Sequence, residues 1–123
     1  MAAQAEAIGE HQLLVARLDG VDGGGLQSAA QGLVDQLGDG AAVVLGGLPD
    51  PADLGKVILV AAFSKAVIAK GQKAGQFIGG VAKLCGGGGG GRPNLAQAGG
   101  RDGAALDSAL EQAKTSLQQE LQG

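Results

Sequence analysis

Six consecutive glycines, residues 86–91, run directly into Arg92 and Pro93 and limit what the middle of this chain can fold into. Glycine loses more backbone freedom on folding than any other residue, so such a run destabilises a fold unless a close approach requires it. The run also offers main-chain amides that no Cβ shields from a bulky anion. We therefore predict a glycine-rich loop that binds a polyanion, and nucleic acid is the polyanion that suits it.

The charges of the chain are segregated along the sequence. Residues 56–101 contain seven Lys and Arg and no acid, whereas the remainder carries all 12 acids and only two cations, in a chain of formal net charge −3. Because charges beyond about 8–10 Å are largely screened at physiological salt, the local block of +7 dominates the field near the glycines. The alternative interpretation is a solvated lysine surface on an ordinary acidic domain.

Composition excludes several classes of site. The chain has 123 residues, enough for one domain, and its only aromatic residues are Phe63 and Phe77, so bases cannot be read by a stacking platform of aromatic rings. A single cysteine excludes an internal disulfide, and Cys85 with His11 gives too few ligands for zinc. No apolar run reaches the length of a membrane span and the N-terminus lacks a signal pattern, so the expected compartment is the cytoplasm.

The hydrophobic pattern predicts an α/β domain, with a small mixed β-sheet packed with helices, a glycine-rich loop before a short strand, and a C-terminal helix. Strands are expected at residues 11–19, 41–45, 56–63 and 95–98, and helices at residues 26–37, 65–70, 74–84 and 102–121. Residues 1–9 are interpreted as the stub of a preceding helical segment, and residues 10–123 as the globular nucleic-acid-binding domain. Asp102 is expected to cap the last helix.

The glycine run does not fit the two common glycine-rich phosphate-binding motifs. A dinucleotide fingerprint follows a strand and opens a helix, and a Walker A loop ends in Gly-Lys-Ser/Thr, whereas Gly91 is followed by Arg92 and Pro93. A flexible linker stays open as an alternative. No catalytic set is visible: His11 is expected at the surface or at a cap, and Cys85 is expected to be a small buried residue, with a redox-sensitive thiol as the alternative. We expect no enzyme activity from this chain alone.

Residues 85–100, Cys-Gly-Gly-Gly-Gly-Gly-Gly-Arg-Pro-Asn-Leu-Ala-Gln-Ala-Gly-Gly, resemble the signature near the C-terminus of bacterial-type alanyl-tRNA synthetases. The same DHH-associated module follows the catalytic part of Asp-His-His phosphoesterases. The resemblance covers most of the chain and implies a tRNA-binding C-terminal domain of alanine–tRNA ligase. Such a domain grips the tRNA elbow and assists aminoacylation and editing by the parent enzyme.

The resemblance also bears on cofactors and partners. The parent family uses ATP, magnesium and zinc in domains that have no counterpart in this sequence, so no cofactor is expected in this chain. The expected partners are alanine-specific tRNA, at its elbow, and the remaining domains of the parent synthetase. DNA stays open as a further ligand, and no membrane contact is expected.

The candidate nucleic-acid-binding residues combine bare amides, cations and two side-chain amides. The lysines are expected to face phosphates, the arginines to anchor a sugar-phosphate turn by forked contacts, and Asn94 and Gln97 to hydrogen-bond ribose or base edges. The set consists of Gly86, Gly87, Gly88, Gly89, Gly90, Gly91, Arg92, Asn94, Gln97, Arg101, Lys65, Lys70, Lys73 and Lys83.

Two further functions fit parts of the sequence. One is a nucleic-acid-binding module related to Asp-His-His phosphoesterases and exonucleases. The second is an oligomerisation module that uses the apolar stripe of the last helix against a partner, namely Leu106, Leu110, Ala113, Leu117 and Leu121.

Overall fold

A computed structural model describes residues 4–122 as one six-stranded sheet with helices on both faces. The strands are β1 (Glu6–Ile8), β2 (His11–Arg17), β3 (Ala41–Gly47), β4 (Val57–Phe63), β5 (Gly88–Gly91) and β6 (Leu95–Gly100). The helices are α1 (Gly23–Leu37), α2 (Lys65–Ala69), α3 (Ala74–Leu84) and α4 (Leu106–Gln122), the last preceded by a 3-10 turn at Gly103–Ala105.

The sheet is mixed, as predicted. Its strand order is β1-β2-β3-β4-β6-β5, in which β2 and β3 are parallel and every other neighbouring pair is antiparallel. The parallel pair is joined through α1, because a parallel connection needs a crossover. Strands β3 and β4 are buried along their whole length, as expected of central strands covered on both faces.

Helices cover the two faces of the sheet unequally. Helix α1 packs over β3 and β4 and reaches part of β6, whereas α4 covers β2 and β3 and α3 covers β4, β6 and β5 on the other face. The face of β5 on the α1 side of the sheet therefore remains exposed.

The apolar stripe predicted on α4 is buried within this domain. Oligomerisation through that stripe therefore loses its basis.

Three local predictions are wrong. Glu6–Ile8 forms strand β1, paired with β2, and not the end of a helix; residues 1–3 of the predicted stub lie outside the described residues. His11 is buried, and its Nδ1 has no hydrogen-bond partner among residues 4–122. Asp102 makes no side-chain cap.

The predicted glycine loop is partly a strand. Gly86 has a φ of 71°, and the amides of Gly86 and Gly87 donate to the carbonyls of Lys83 and Ala82, so these two residues end α3 in a Schellman motif. The next four glycines form β5, the edge strand, which pairs with β6. Sequence propensity argues against a strand made only of glycine, so pairing with β6 and contact with α3 must stabilise it.

Helix α3 covers the free edge of β5 with no side chain between them. A Cβ on Gly75 would lie 2.5 Å from the carbonyl oxygen of Gly91, and one on Gly79 would lie 2.9 Å from that of Gly89. The turn after β5 accepts from the first amides of α3, since Ala74 N–H donates to the Pro93 carbonyl at 2.9 Å. Glycine on both elements is therefore what allows this approach, which also protects a sheet edge.

Arg17 connects three parts of the chain near the end of β2. Its Nε lies 3.0 Å from Asp19 Oδ1 and its Nη1 lies 2.9 Å from Asp107 Oδ1 at the start of α4. The Leu48 amide also donates to Asp19, at 3.0 Å. The hydrogen bond from Arg17, followed by that from Leu48, lowers the pKa of Asp19.

We predict that Gly75→Ala destabilises the domain and Gly80→Ala does not. The added methyl at position 75 overlaps the Gly91 backbone, which should cost about 1–3 kcal/mol as overpacking does. A Cβ at Gly80, on the same helix, meets nothing within 4 Å, so alanine there should stabilise by up to about 1 kcal/mol. Urea denaturation of both variants measures the difference, and equal free energies of unfolding would contradict the close approach.

We also predict that Arg17→Met raises the pKa of Asp19 toward its ordinary value. Because the folded-state pKa is lowered, the ionised carboxylate stabilises the fold above its unfolded pKa, and this stabilisation is lost as pH falls through the folded pKa. The variant should therefore lose less stability on acidification. NMR titration of Asp19 tests this, with Lys114→Met as the control that removes a cation elsewhere; an unchanged pKa in Arg17→Met would contradict it.

Candidate nucleic-acid interface

The exposed face of β5 and β6 forms a shallow cleft that we call the shelf. Its volume is about 610 Å³, and four of the ten residues that line it are glycines. The lining residues are Lys56, Val57, Ile58, Gly87, Gly88, Gln97, Ala98, Gly99, Gly100 and Arg101. The shelf brings Gly87 and Gly88 of the glycine run together with Gln97 and Arg101, and it adds Lys56, whose membership of the basic block was the only signal.

Most of the glycines around the shelf are required by internal packing. A Cβ would lie 1.9 Å from the Gly99 carbonyl oxygen at Gly87, 2.6 Å from the Ala98 Cα at Gly89, and 2.8 Å from the Ala96 Cβ at Gly91. The fold itself therefore excludes side chains at these positions, and their presence needs no ligand to explain it.

The glycines that face the shelf are different. A Cβ on Gly88 meets nothing within 4 Å, and on Gly99 it would make only an ordinary contact of 3.6 Å with the Val57 carbonyl oxygen. The fold would accept small side chains at these two positions. The absence of side chains there leaves a flat surface. Glycine at these positions is the part of the glycine pattern that the fold does not explain.

The main-chain amides of β5 do not form the continuous row that the sequence suggested. Arg92 N–H donates to the Leu95 carbonyl at the turn, so the antiparallel register pairs Gly90 with Gln97 and Gly88 with Gly99. These amides bond to β6, and the alternate ones point toward α3. The shelf consequently presents the face of a hydrogen-bonded strand, which is flat but largely satisfied.

Cations surround the shelf without acidic partners. Lys56 and Arg101 line it and are both exposed. The two ion pairs formed within residues 4–122 both use Arg17, so no basic side chain between residues 56 and 101 is paired there with an acid. Unpaired cations at the rim of an uncharged floor favour an anionic ligand.

Gln97 stands at the inner edge of the shelf. Its Oε1 accepts from Nε2 of Gln27 on α1 at 2.6 Å, and the pair is partly buried. The sequence predicted Gln97 as a nucleic-acid-binding residue but gave no signal for Gln27, because the two residues are 70 positions apart.

A second groove runs between α3 and β5. It has a volume of about 500 Å³ and is lined by Gly75, Gln76, Gly79, Gly80, Lys83, Gly88, Gly89, Gly90 and Gly91. Lys83 therefore lies on the α3 side of β5, away from the shelf. Its long side chain can reach a nucleic-acid strand that passes over the edge of the sheet.

The remaining predicted residues lie away from the shelf. Lys65 and Asn94 share a pocket with Asp35 and Asp39, which offset the lysine charge. The Nζ of Lys70 donates to the Leu121 carbonyl at 3.3 Å, at the end of α4. The predicted single surface is therefore divided.

Lys73 and Arg92 lie at the far end of α3. Lys73 precedes the first residue of that helix, and Arg92 opens the turn whose carbonyls accept from it. Both side chains are exposed. Their backbones stabilise the helix start, and neither residue lines the shelf.

Cys85 is buried at the end of α3, as expected of a small apolar residue. Burial, and then the charge of Asp102, raise the pKa of its thiol. The thiol therefore stays protonated at neutral pH, which disfavours a redox-sensitive role.

Residues 4–122 contain no group of three or more His, Cys, Asp or Glu that could hold a metal ion. Within that range no helix has both the length and the apolar character that spanning a membrane requires.

Comparisons with known proteins agree with this architecture. The chain is 95% identical over 118 residues to an alanine–tRNA ligase of Synechococcus sp. (strain RCC307), a match that covers 96% of this chain and 13% of the relative. It is 79% identical over 121 residues to an alanine–tRNA ligase of Prochlorococcus marinus (strain MIT 9313), covering 98% of this chain and 14% of that protein. The chain therefore spans about one seventh of the length of these relatives, in agreement with the expectation that it is not the enzyme by itself.

A solved structure has the same fold. The crystal structure of the C-Ala domain from Aquifex aeolicus alanyl-tRNA synthetase matches with a TM-score of 0.77 and 28% identity, over 97% of this chain and 98% of that one. The model of the DHHA1 domain matches residues 10–119. This chain therefore belongs to the DHHA1 domain family, in the form that alanine–tRNA ligases contain.

Proposed function

We propose that this chain is a tRNA-binding C-terminal domain of an alanine–tRNA ligase, and that it binds the elbow of alanine-specific tRNA through the shelf. By holding the tRNA it would assist aminoacylation and editing by the catalytic parts of the parent enzyme. The chain itself has no catalytic role and needs no cofactor in this proposal, and it acts in the cytoplasm with the parent enzyme.

The observation that carries the proposal is the bare floor of the shelf. Gly88 and Gly99 have room for side chains that they lack, whereas the neighbouring Gly87 and Gly100 do not. A flat, uncharged floor suits the face of a base or the end of a base stack, which every nucleotide offers regardless of sequence. The chain lacks the aromatic side chains that usually provide such a surface, and backbone replaces them here.

Electrostatics support the same ligand. Lys56 and Arg101 at the rim are free to contact phosphates on either side of a base placed on the floor. Each such contact releases counterions from RNA, so the affinity should fall steeply with salt concentration. The acidic residues lie outside the basic block, and they would disfavour binding in other orientations.

The name of the matched relatives supports tRNA over other nucleic acids. The matches to these alanine–tRNA ligases cover nearly the whole of this chain. A module of the Asp-His-His phosphoesterase type stays the second candidate, since the DHHA1 match describes the domain alone. DNA has no support from these comparisons.

We predict that replacing both Lys56 and Arg101 with alanine weakens tRNA binding by at least tenfold at low salt. Two lost phosphate contacts should also reduce the slope of log affinity against log salt by about 1–2. Filter binding or fluorescence anisotropy with alanine tRNA at two salt concentrations measures both quantities.

Lys114→Ala is the control, because it removes one cation from α4 and should change affinity little. Competition distinguishes the candidates: tRNA lacking its elbow should compete poorly, whereas a single-stranded oligonucleotide that competes as well as tRNA would favour the phosphoesterase-type module. Unchanged affinity in the double variant would remove the shelf from the mechanism.

A further inference from the structure

Two residues of α1 lie against the side chain of Gln97. Gln27 donates to its Oε1 at 2.6 Å. Gly23, one helical turn earlier, lies so close that a Cβ there would be 2.5 Å from Gln97 Nε2 and 2.9 Å from its Cδ. Residues four apart share one face of a helix, so Gly23 and Gln27 form a seat for a single amide group.

The seat has a consequence for hydrogen bonding at the shelf. A glutamine side chain has one acceptor oxygen and one NH₂ group with two donors. The bond from Gln27 holds the oxygen toward α1, and the NH₂ group of Gln97, which donates to no partner within residues 4–122, keeps its donors for a ligand on the shelf, which Gln97 lines. A freely rotating glutamine would present donor and acceptor equally and would lose more entropy on binding.

We propose that Gln27 and Gly23 are positioning residues that orient Gln97 so that it donates a hydrogen bond to an acceptor atom of the RNA held on the shelf. The inference rests on the proposed function and adds to it a definite polarity: the ligand offers a base-edge or ribose acceptor at this point. Gln27 supplies the fixed partner, and Gly23 supplies the space in which the amide lies.

The geometry provides a matched pair of variants. Gly23→Ala places a methyl where the Gln97 amide lies, and only the flexible end of that side chain has to move. Gly24→Ala is its match in the same helical turn, because a Cβ there has an ordinary contact of 3.7 Å with Asp22. Both changes replace glycine with alanine in a helix and should have similar, small effects on stability.

Alanine-tRNA binding to the full chain should weaken about five- to tenfold in Gly23→Ala, as for the loss of one hydrogen bond, and remain within about twofold in Gly24→Ala. A double-mutant cycle with Gln27→Met and Gln97→Met separates positioning from other effects. Gln27→Met should weaken binding about threefold when Gln97 is present and have no effect in the Gln97→Met background.

The outcomes are distinct. If the wild-type chain binds tRNA but Gly23→Ala matches Gly24→Ala, or if the two methionine substitutions are additive, the positioning role is wrong and the proposed function stands. If the wild-type chain does not bind tRNA at low salt, both proposals fail. Thermal unfolding of each variant checks that a loss of affinity does not reflect loss of fold.

Discussion

Helix α3 and strand β5 meet backbone to backbone, and the position of the shelf depends on that contact. Gly75 and Gly79 allow the helix to lie along the outer edge of β5, toward which the carbonyl oxygens of Gly89 and Gly91 point. The helix start is in turn held by the carbonyls of the turn between β5 and β6. A strand of four glycines has little intrinsic tendency to form, and this contact together with pairing to β6 holds it in place.

The two faces of β5 differ in packing and exposure. On one face a Cβ at Gly89 or Gly91 would overlap Ala98 or Ala96 of β6, so side chains are excluded, whereas the opposite face is open because α1 extends only partly across β6. A bare surface therefore arises at the sheet edge, with Lys56 and Arg101 at its rim and Gln97 held by α1 at its inner side. Packing, charge and a single oriented amide are the features through which we propose that this acidic domain binds an anion.

Sequence reasoning predicted local features better than spatial ones. The bounds of α3, residues 74–84, were predictable because an apolar stripe ends where glycine begins. Strand β5 and strand β1 were missed, since both depend on tertiary pairing rather than propensity. Neighbours in the basic block, such as Lys65 and Lys70, lie away from the shelf because sequence proximity does not fix the direction of a side chain. The Gln27 contact spans 70 positions and left no local signal.

We propose that the shelf, and not the basic block as a whole, contacts tRNA. Mapping amide chemical shifts of the ¹⁵N-labelled chain during titration with alanine tRNA tests this directly. We expect the first and largest changes at Gly88, Gly99 and Arg101 and in the side-chain amide of Gln97, with little change around Lys70 and along the exposed face of α4. Changes centred on α2 and α4 that leave the shelf unaffected would contradict the claim.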